Sequence, residues 1–366
     1  MFAAREEPIR SVLDPLGEAG RWAALAHVLD FDDLHLPSTS HISTICVPAS
    51  LASGGDARSY LAGAGVMARL GVALGWKHYQ AGWHATCTAG APAAAVTAAL
   101  ALGLDAERTA TAIALSLPAA GGVQRAFGTM AKSLQIGFAV DAGVRAAALA
   151  RAGASADPDA LETWLALVGG QADVRTDHGP AIPGGLAIKL FPCCYALQRP
   201  VFAATQLLPV DLPRVLRVRV RTPASSLTPL IHHHPATGLQ AKFSLEYGIA
   251  ATLLDGPPGL ASFSDKAVAR ADARALLKLV QTTPIAGGEH LLAGELTIEL
   301  GLDDGSVRRT TVASPPGAPD QAPSAAALEA KISDCAQAQS AEIIALSWES
   351  AAEFLRASGL SQPRTR

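Results

Sequence analysis

Along the first half of the chain, apolar positions recur at helical spacing in one run after another. Residues 22–29 and 42–51 are apolar runs on either side of a polar stretch. Residues 57–74 are small and apolar and end near Gly75, and residues 91–102 stop at Gly103. Asp105 is placed to cap the next helix, which the pattern carries to Leu117, just before Pro118. Residues 134–150 continue as helix with charge only at Asp141 and Arg145. Asp157-Pro158 then opens a helix through Leu167, with proline in its first turn. Abundant Ala and Gly permit close helix approach, so this half predicts a tightly packed all-helical bundle.

The period changes near Gly179. Residues 215–220 alternate, Val218 and Val220 against Arg217, Arg219 and Arg221, which predicts a half-exposed strand. Residues 296–300 alternate the same way, and Asp303-Asp304-Gly305 predicts a hairpin turn into a strand at 307–312. Helical runs at 242–254 and 265–280 lie between them. A Pro-rich linker at 314–323 leads to two closing helices at 325–337 and 340–355, expected to rejoin the bundle. The expected fold is therefore mainly α: a discontinuous helical-bundle domain at 1–184 plus 324–366. Into it is inserted an α+β domain at 185–323, linker included.

Composition narrows the function classes. Of 366 residues, 49% are hydrophobic and 17% charged, which is a folded chain rather than a disordered one. A net charge of −3 gives no bulk attraction to nucleic acid or anionic membrane. The five cysteines form no C-x-x-C pair, which argues against zinc and thioredoxin-like sites and fits a reducing cytoplasm. Residues 1–15 lack the apolar segment of a signal peptide. Residues 85–104 carry no formal charge but are mostly Ala, Thr and Gly with Pro92 inside, so a buried helix is expected rather than a membrane span. With no G-x-G-x-x-G after a strand and no Walker loop, no cofactor is expected.

Residues 29–41 hold the densest chemistry. Asp30, Asp32, Asp33, His35 and His41 are framed by Val28, Leu29, Phe31 and Leu34, so part of the group points inward. Buried charges need partners, and such a cluster is a site, a metal centre or a structural network. His84 stands at the entrance of the uncharged run, as a site residue or a helix-end histidine. Lys132 is isolated among small apolar residues and calls for an anionic partner, either a substrate carboxylate or one of Asp30–Asp33. Lys189, in Lys-Leu-Phe-Pro-Cys193, is a site lysine or a surface lysine at a domain joint. Cys193 and Cys194 have no local base and are read as packing. His232-His-His234 is read as a surface loop, and Tyr247 by itself as a core tyrosine.

Five blocks occur together in order: Leu29-Asp-Phe-Asp-Asp33 with His41, Gly82-Trp-His84, Gly128-Thr-Met-Ala-Lys132, Lys189-Leu-Phe-Pro-Cys193 and Phe243-Ser-Leu-Glu-Tyr247. The chain thereby resembles the MmgE/PrpD family, which contains 2-methylcitrate dehydratase, cis-aconitate decarboxylase and iminodisuccinate epimerase. The resemblance implies a discontinuous helical domain with an inserted α+β lid, a homodimer, and a pocket free of metal and organic cofactor. It implies catalytic roles for Asp30, His41, His84, Lys132 and Tyr247, and carboxylate binding by Lys132 and Lys189, with Gln198 facing the substrate. Asp30 would orient a histidine, and Asp32 and Asp33 would be structural. The chain departs from the family at Leu34, at Gln135 and Gln198 where many members carry histidine, and in a longer turn before His41.

The implied chemistry starts with removal of a proton next to a carboxylate, with His84 or His41 as base and Tyr247 or the other histidine as acid. The expected enzyme is a 2-methylcitrate dehydratase-like hydro-lyase acting on a small di- or tricarboxylate, with epimerase or decarboxylase as alternatives. A catalytically impaired relative acting as a binding protein is the alternative of another class.

Overall fold

The structure is a computed structural model that describes residues 1–157, 159–171 and 179–361. Pro158, expected in the first turn of a helix, lies outside the described residues; that helix spans Ala160–Leu167. The chain is mainly α, as the pattern predicts. It divides into two compact units, one of Met1–Arg125, Met130–Leu186 and Cys335–Arg366, the other of Ala126–Thr129 and Ala187–Asp334.

The helices of the first unit include α1 (Glu18–His27), α2 (Ser43–Ala52), α3 (Ala57–Gln80), α4 (Ala85–Ala101), α5 (Ala106–Ser116) and α6 (Ala131–Arg151). Helix α4 is buried over Ala85–Ala99 and packs against α2, α3, α5 and α6. Among the described residues no helix is long and apolar enough to cross a membrane. Asp105 caps α5 as expected, accepting from the Arg108 N–H at 2.9 Å.

Helix ends depart from the pattern where burial outweighs local signals. Gly75 was expected to end a helix; it is a kink (φ 70°) inside α3, which runs on to Gln80. Helix α4 begins at Ala85 and passes through Pro92, whose lost hydrogen bond is outweighed by packing on every side. Helix α6 begins at Ala131, so Lys132 lies in its first turn.

Helices α1 and α6 run antiparallel in a fixed register. At one end the Asp141 carboxylate accepts from the Gly17 and Gly20 N–H groups, both at 2.7 Å, satisfying the open donors at the start of α1. Between these ends, a Cβ on Gly137 would lie 2.8 Å from the Gly20 carbonyl oxygen, so the helices meet backbone to backbone. At the other end His27 of α1 reaches Lys132 of α6. Small residues thus set the spacing that brings an imidazole and an ammonium together.

The second unit has a four-stranded mixed sheet of β1 (Val215–Pro223), β2 (Val280–Ile285), β3 (Leu296–Leu302) and β4 (Val307–Val312), in the order β2-β1-β3-β4. β1 runs parallel to β2, with Val218 opposite Val280, and antiparallel to β3, with Val220 opposite Ile298. The hairpin at Asp303–Gly305 joins β3 to β4 as predicted. Val218, Val220, Ile298 and Leu300 are buried, and helix Tyr195–Thr205 packs on β3 and β4. The helix expected at 265–280 is two short helices, Asp265–Val268 and Ala271–Leu277, followed by edge strand β2, which the pattern reading missed. Pro284 is tolerated in β2 because an edge strand has one unpaired side.

Candidate active site

The chain leaves α1 at His27 and turns sharply. Asp30 takes a left-handed conformation (φ 51°), one that aspartate tolerates better than most residues. This turn sends Asp30, Asp32 and Asp33 in different directions within four positions. Asp33 accepts from the Ser43 N–H at 3.1 Å and so holds the start of α2. Burial, then the charge of Asp32, pushes the Asp33 carboxyl above the usual carboxylate range. His41, just before α2, is fixed through its backbone N–H, which donates to Thr86 Oγ1 at 3.1 Å.

Asp32 is the carboxylate that orients histidines. Its Oδ2 accepts from His27 Nδ1 at 2.8 Å and lies 3.0 Å from His41 Nδ1, whose hydrogen bond goes to the Asp33 carbonyl at 2.7 Å; the Asp32 side chain is 4% exposed. Sequence reading gave the orienting role to Asp30 and made Asp32 structural; the structure places Asp32 against His27 Nδ1. Asp30 instead forms an ion pair with Lys132, Oδ1 to Nζ at 2.9 Å. His35 lies apart from this group and is bound to Ser38 and to the Pro183 carbonyl.

His27 is the residue that sequence reading missed, because it closes the apolar second half of α1. Its Nε2 accepts from Lys132 Nζ at 2.5 Å while its Nδ1 donates to Asp32. Burial, reinforced by the Lys132 charge, lowers its pKa to about 4, so it is neutral near pH 7. The ring lies 4.7 Å from that of His41 and 6.0 Å from that of His84, centroid to centroid.

His84 is the residue preceding α4 and is fully enclosed. Burial, then Lys132, holds its pKa well below the ordinary histidine value. Its Nδ1 meets Gln135 Nε2 at 2.8 Å and Cys87 Sγ at 3.4 Å. The first unit therefore brings together Asp30, His41, His84 and Lys132, four of the predicted residues, and adds His27, Asp32 and Gln135.

The remaining predicted residues belong to the second unit. Lys189 is buried, and its carbonyl accepts from Lys331 Nζ at 2.8 Å. Gln198 is buried with its amide on the main chain: Oε1 accepts from Leu190 and Phe191 N–H at 2.9 and 3.0 Å, and Nε2 donates to the Phe191 carbonyl at 2.9 Å. It holds the loop that follows Lys189. Tyr247 donates its hydroxyl to the Ser262 carbonyl at 2.6 Å, and burial pushes its pKa up to about 12. Cys193 and Cys194 are buried, as packing predicts. His232-His-His234 is a loop in which His233 is exposed and pairs with Glu246 at 2.9 Å.

Among the described residues, His27, His41 and His84 bring candidate ligand nitrogens within 4.8 Å of one another. A cation binding His27 Nε2 would have to displace the Lys132 ammonium, which already sits against that nitrogen. Chemically, the group offers one ammonium positioned by a carboxylate and an imidazole, beside two further buried imidazoles. Such a group can hold an anionic oxygen and move protons near it.

Comparison with known families agrees with the resemblance of the blocks. Residues 10–173 match the model of the MmgE/PrpD N-terminal domain, and residues 191–350 match that of the MmgE/PrpD C-terminal domain. No curated protein matches the chain.

Proposed function

Because the chain belongs to the MmgE/PrpD family, whose members are generally hydro-lyases and decarboxylases, we propose that it removes a proton next to a carboxylate of a small di- or tricarboxylic acid. The form favoured is a 2-methylcitrate dehydratase-like hydro-lyase. The observation that supports this reading best is the Lys132 ammonium held by Asp30 at 2.9 Å beside buried His27, His41 and His84.

A proton on carbon next to a carboxylate is weakly acidic. Its removal needs a base within reach and a fixed positive charge where the enolate-like oxygen develops. Lys132 would supply that charge, and an imidazole of His41 or His84 would take the proton. Lys189 as a second carboxylate holder and Tyr247 as a proton donor rest on the family resemblance alone. Gln198 would act on substrate through the Lys189 loop that it holds. A homodimer belongs to the same reading and is checked by sedimentation.

Incubation in D2O with citrate-like, aconitate-like and aspartate-derived acids, followed by NMR, tests the proposal. Deuterium is expected to enter one acid at carbon next to a carboxylate, with water lost from it, and His84→Ala should abolish both. Incorporation without loss of water or CO2 would select the epimerase form instead. Absence of exchange on every acid, in wild type and variant alike, would overturn the enzymatic reading and leave a binding protein.

A further inference from the structure

The three site histidines differ in what their nitrogens touch, and those contacts fix where each proton sits. We infer that Gln135 is a positioning residue that holds His84 with its proton on Nε2, making His84 the proton donor of the pocket and leaving His41 as the acceptor. The division of roles rests on the carboxylate-acid reading above; the tautomer does not.

The amide of Gln135 is oriented by main chain rather than by the histidine. Its Oε1 accepts from the Val123 N–H at 3.0 Å, and its Nε2 reaches the Val123 carbonyl at 3.3 Å. Reversing the amide would set two donors against each other and two acceptors against each other. The nitrogen that faces His84 Nδ1 at 2.8 Å is therefore a donor. The Cys87 sulfur, 3.4 Å from the same Nδ1, is a second donor, because burial keeps it a thiol. A nitrogen that receives two donors carries a lone pair, so the proton of neutral His84 is on Nε2.

Val123 is itself held in register with His84. The His84 N–H donates to the Gly122 carbonyl at 3.0 Å, and the Gln124 N–H donates to the Gly82 carbonyl at 2.8 Å. Gln135 stands one turn after Lys132 on α6, so one helix face carries both the ammonium and the amide. His41 has the opposite arrangement. Its Nδ1 faces Asp32 Oδ2 at 3.0 Å and the Asp33 carbonyl at 2.7 Å, both acceptors, so in the neutral ring the proton is on Nδ1 and the lone pair on Nε2.

Nitrogen-15 histidine NMR of the full chain reads the tautomer directly, with the His84 signals assigned as those lost in His84→Gln. In wild type at neutral pH, His84 Nδ1 is expected at a lone-pair shift and Nε2 at an N–H shift. In Gln135→Glu a carboxylate replaces the donor, so the two shifts should exchange, and deuterium incorporation should fall about 100-fold. A protonated Nδ1 in wild type, or an unchanged tautomer in Gln135→Glu, would overturn the inference, since a merely structural Gln135 would leave the ring alone. A correct tautomer in a wild-type protein without exchange activity would sustain it while the functional reading failed.

Discussion

Lys132 places an ammonium 2.5 Å from His27 Nε2, so protonating that imidazole would set two cations in contact. The folded pKa of about 4 lies below the ordinary 6.5 because the ring is buried and, after that, because of this contact. Between those two values the unfolded chain binds a proton that the folded chain refuses. The contribution is complete above pH 6.5 and is lost as pH falls toward 4; His84 shifts in the same direction and adds to it. The His27 gap corresponds to roughly 3 kcal/mol. Urea denaturation at pH 7.5 and 4.5 should show a marked loss at the lower pH, and His27→Gln should show a visibly smaller one. Equal losses would refute this account of His27. The same residue marks the limit of sequence reading at this scale. Asp30, His41 and Lys132 were legible because a charge isolated among apolar residues demands a partner. His27 was not, because a histidine closing an apolar run looks the same whether it meets a carbonyl or an ammonium. Its spacing before Asp30 and Asp32 was the available signal.

At the scale of the element, the site depends on how closely α1 and α6 approach. Helix interiors were legible from their period, and so was the caution that Ala and Gly permit close approach. Which glycines meet was not, because that needs the register of two helices. Helix ends were least legible, as Gly75, Pro92 and the edge strand at Val280–Ile285 show: in each, burial or strand pairing overrode the local signal. Gly137→Ala tests the approach. Its Cβ would stand 2.8 Å from the Gly20 carbonyl oxygen, which is main chain and cannot swing aside. We expect a loss of about 1–3 kcal/mol by urea denaturation, typical of overpacking. A second effect should follow from geometry, because separating the helices draws Lys132 from His27. Relieved of the ammonium, His27 should titrate closer to its ordinary value in histidine NMR. Stability unchanged within error would show that the helices can separate at no cost.

Across the whole molecule, five blocks spread from residue 29 to residue 247 identified the family before any contact was known, and matches covering residues 10–173 and 191–350 agree. What block order cannot convey is the energetic cost of keeping such a site. Folded chains are stable by only about 5–15 kcal/mol, and a buried ion pair is weak evidence for stability. The Asp30–Lys132 pair is almost wholly enclosed, with side chains 4% and 4% exposed. Lys132→Met alone should remove about 3–5 kcal/mol from global unfolding, because it leaves a buried carboxylate without its ammonium. Adding Asp30→Asn removes that charge while keeping a residue that accepts the left-handed backbone at position 30. The double variant should recover most of the lost stability and none of the deuterium exchange. Recovery of both would mean that the pair serves the fold rather than the reaction. Recovery of neither would mean that Lys132 also supports the first unit through its contact with His27.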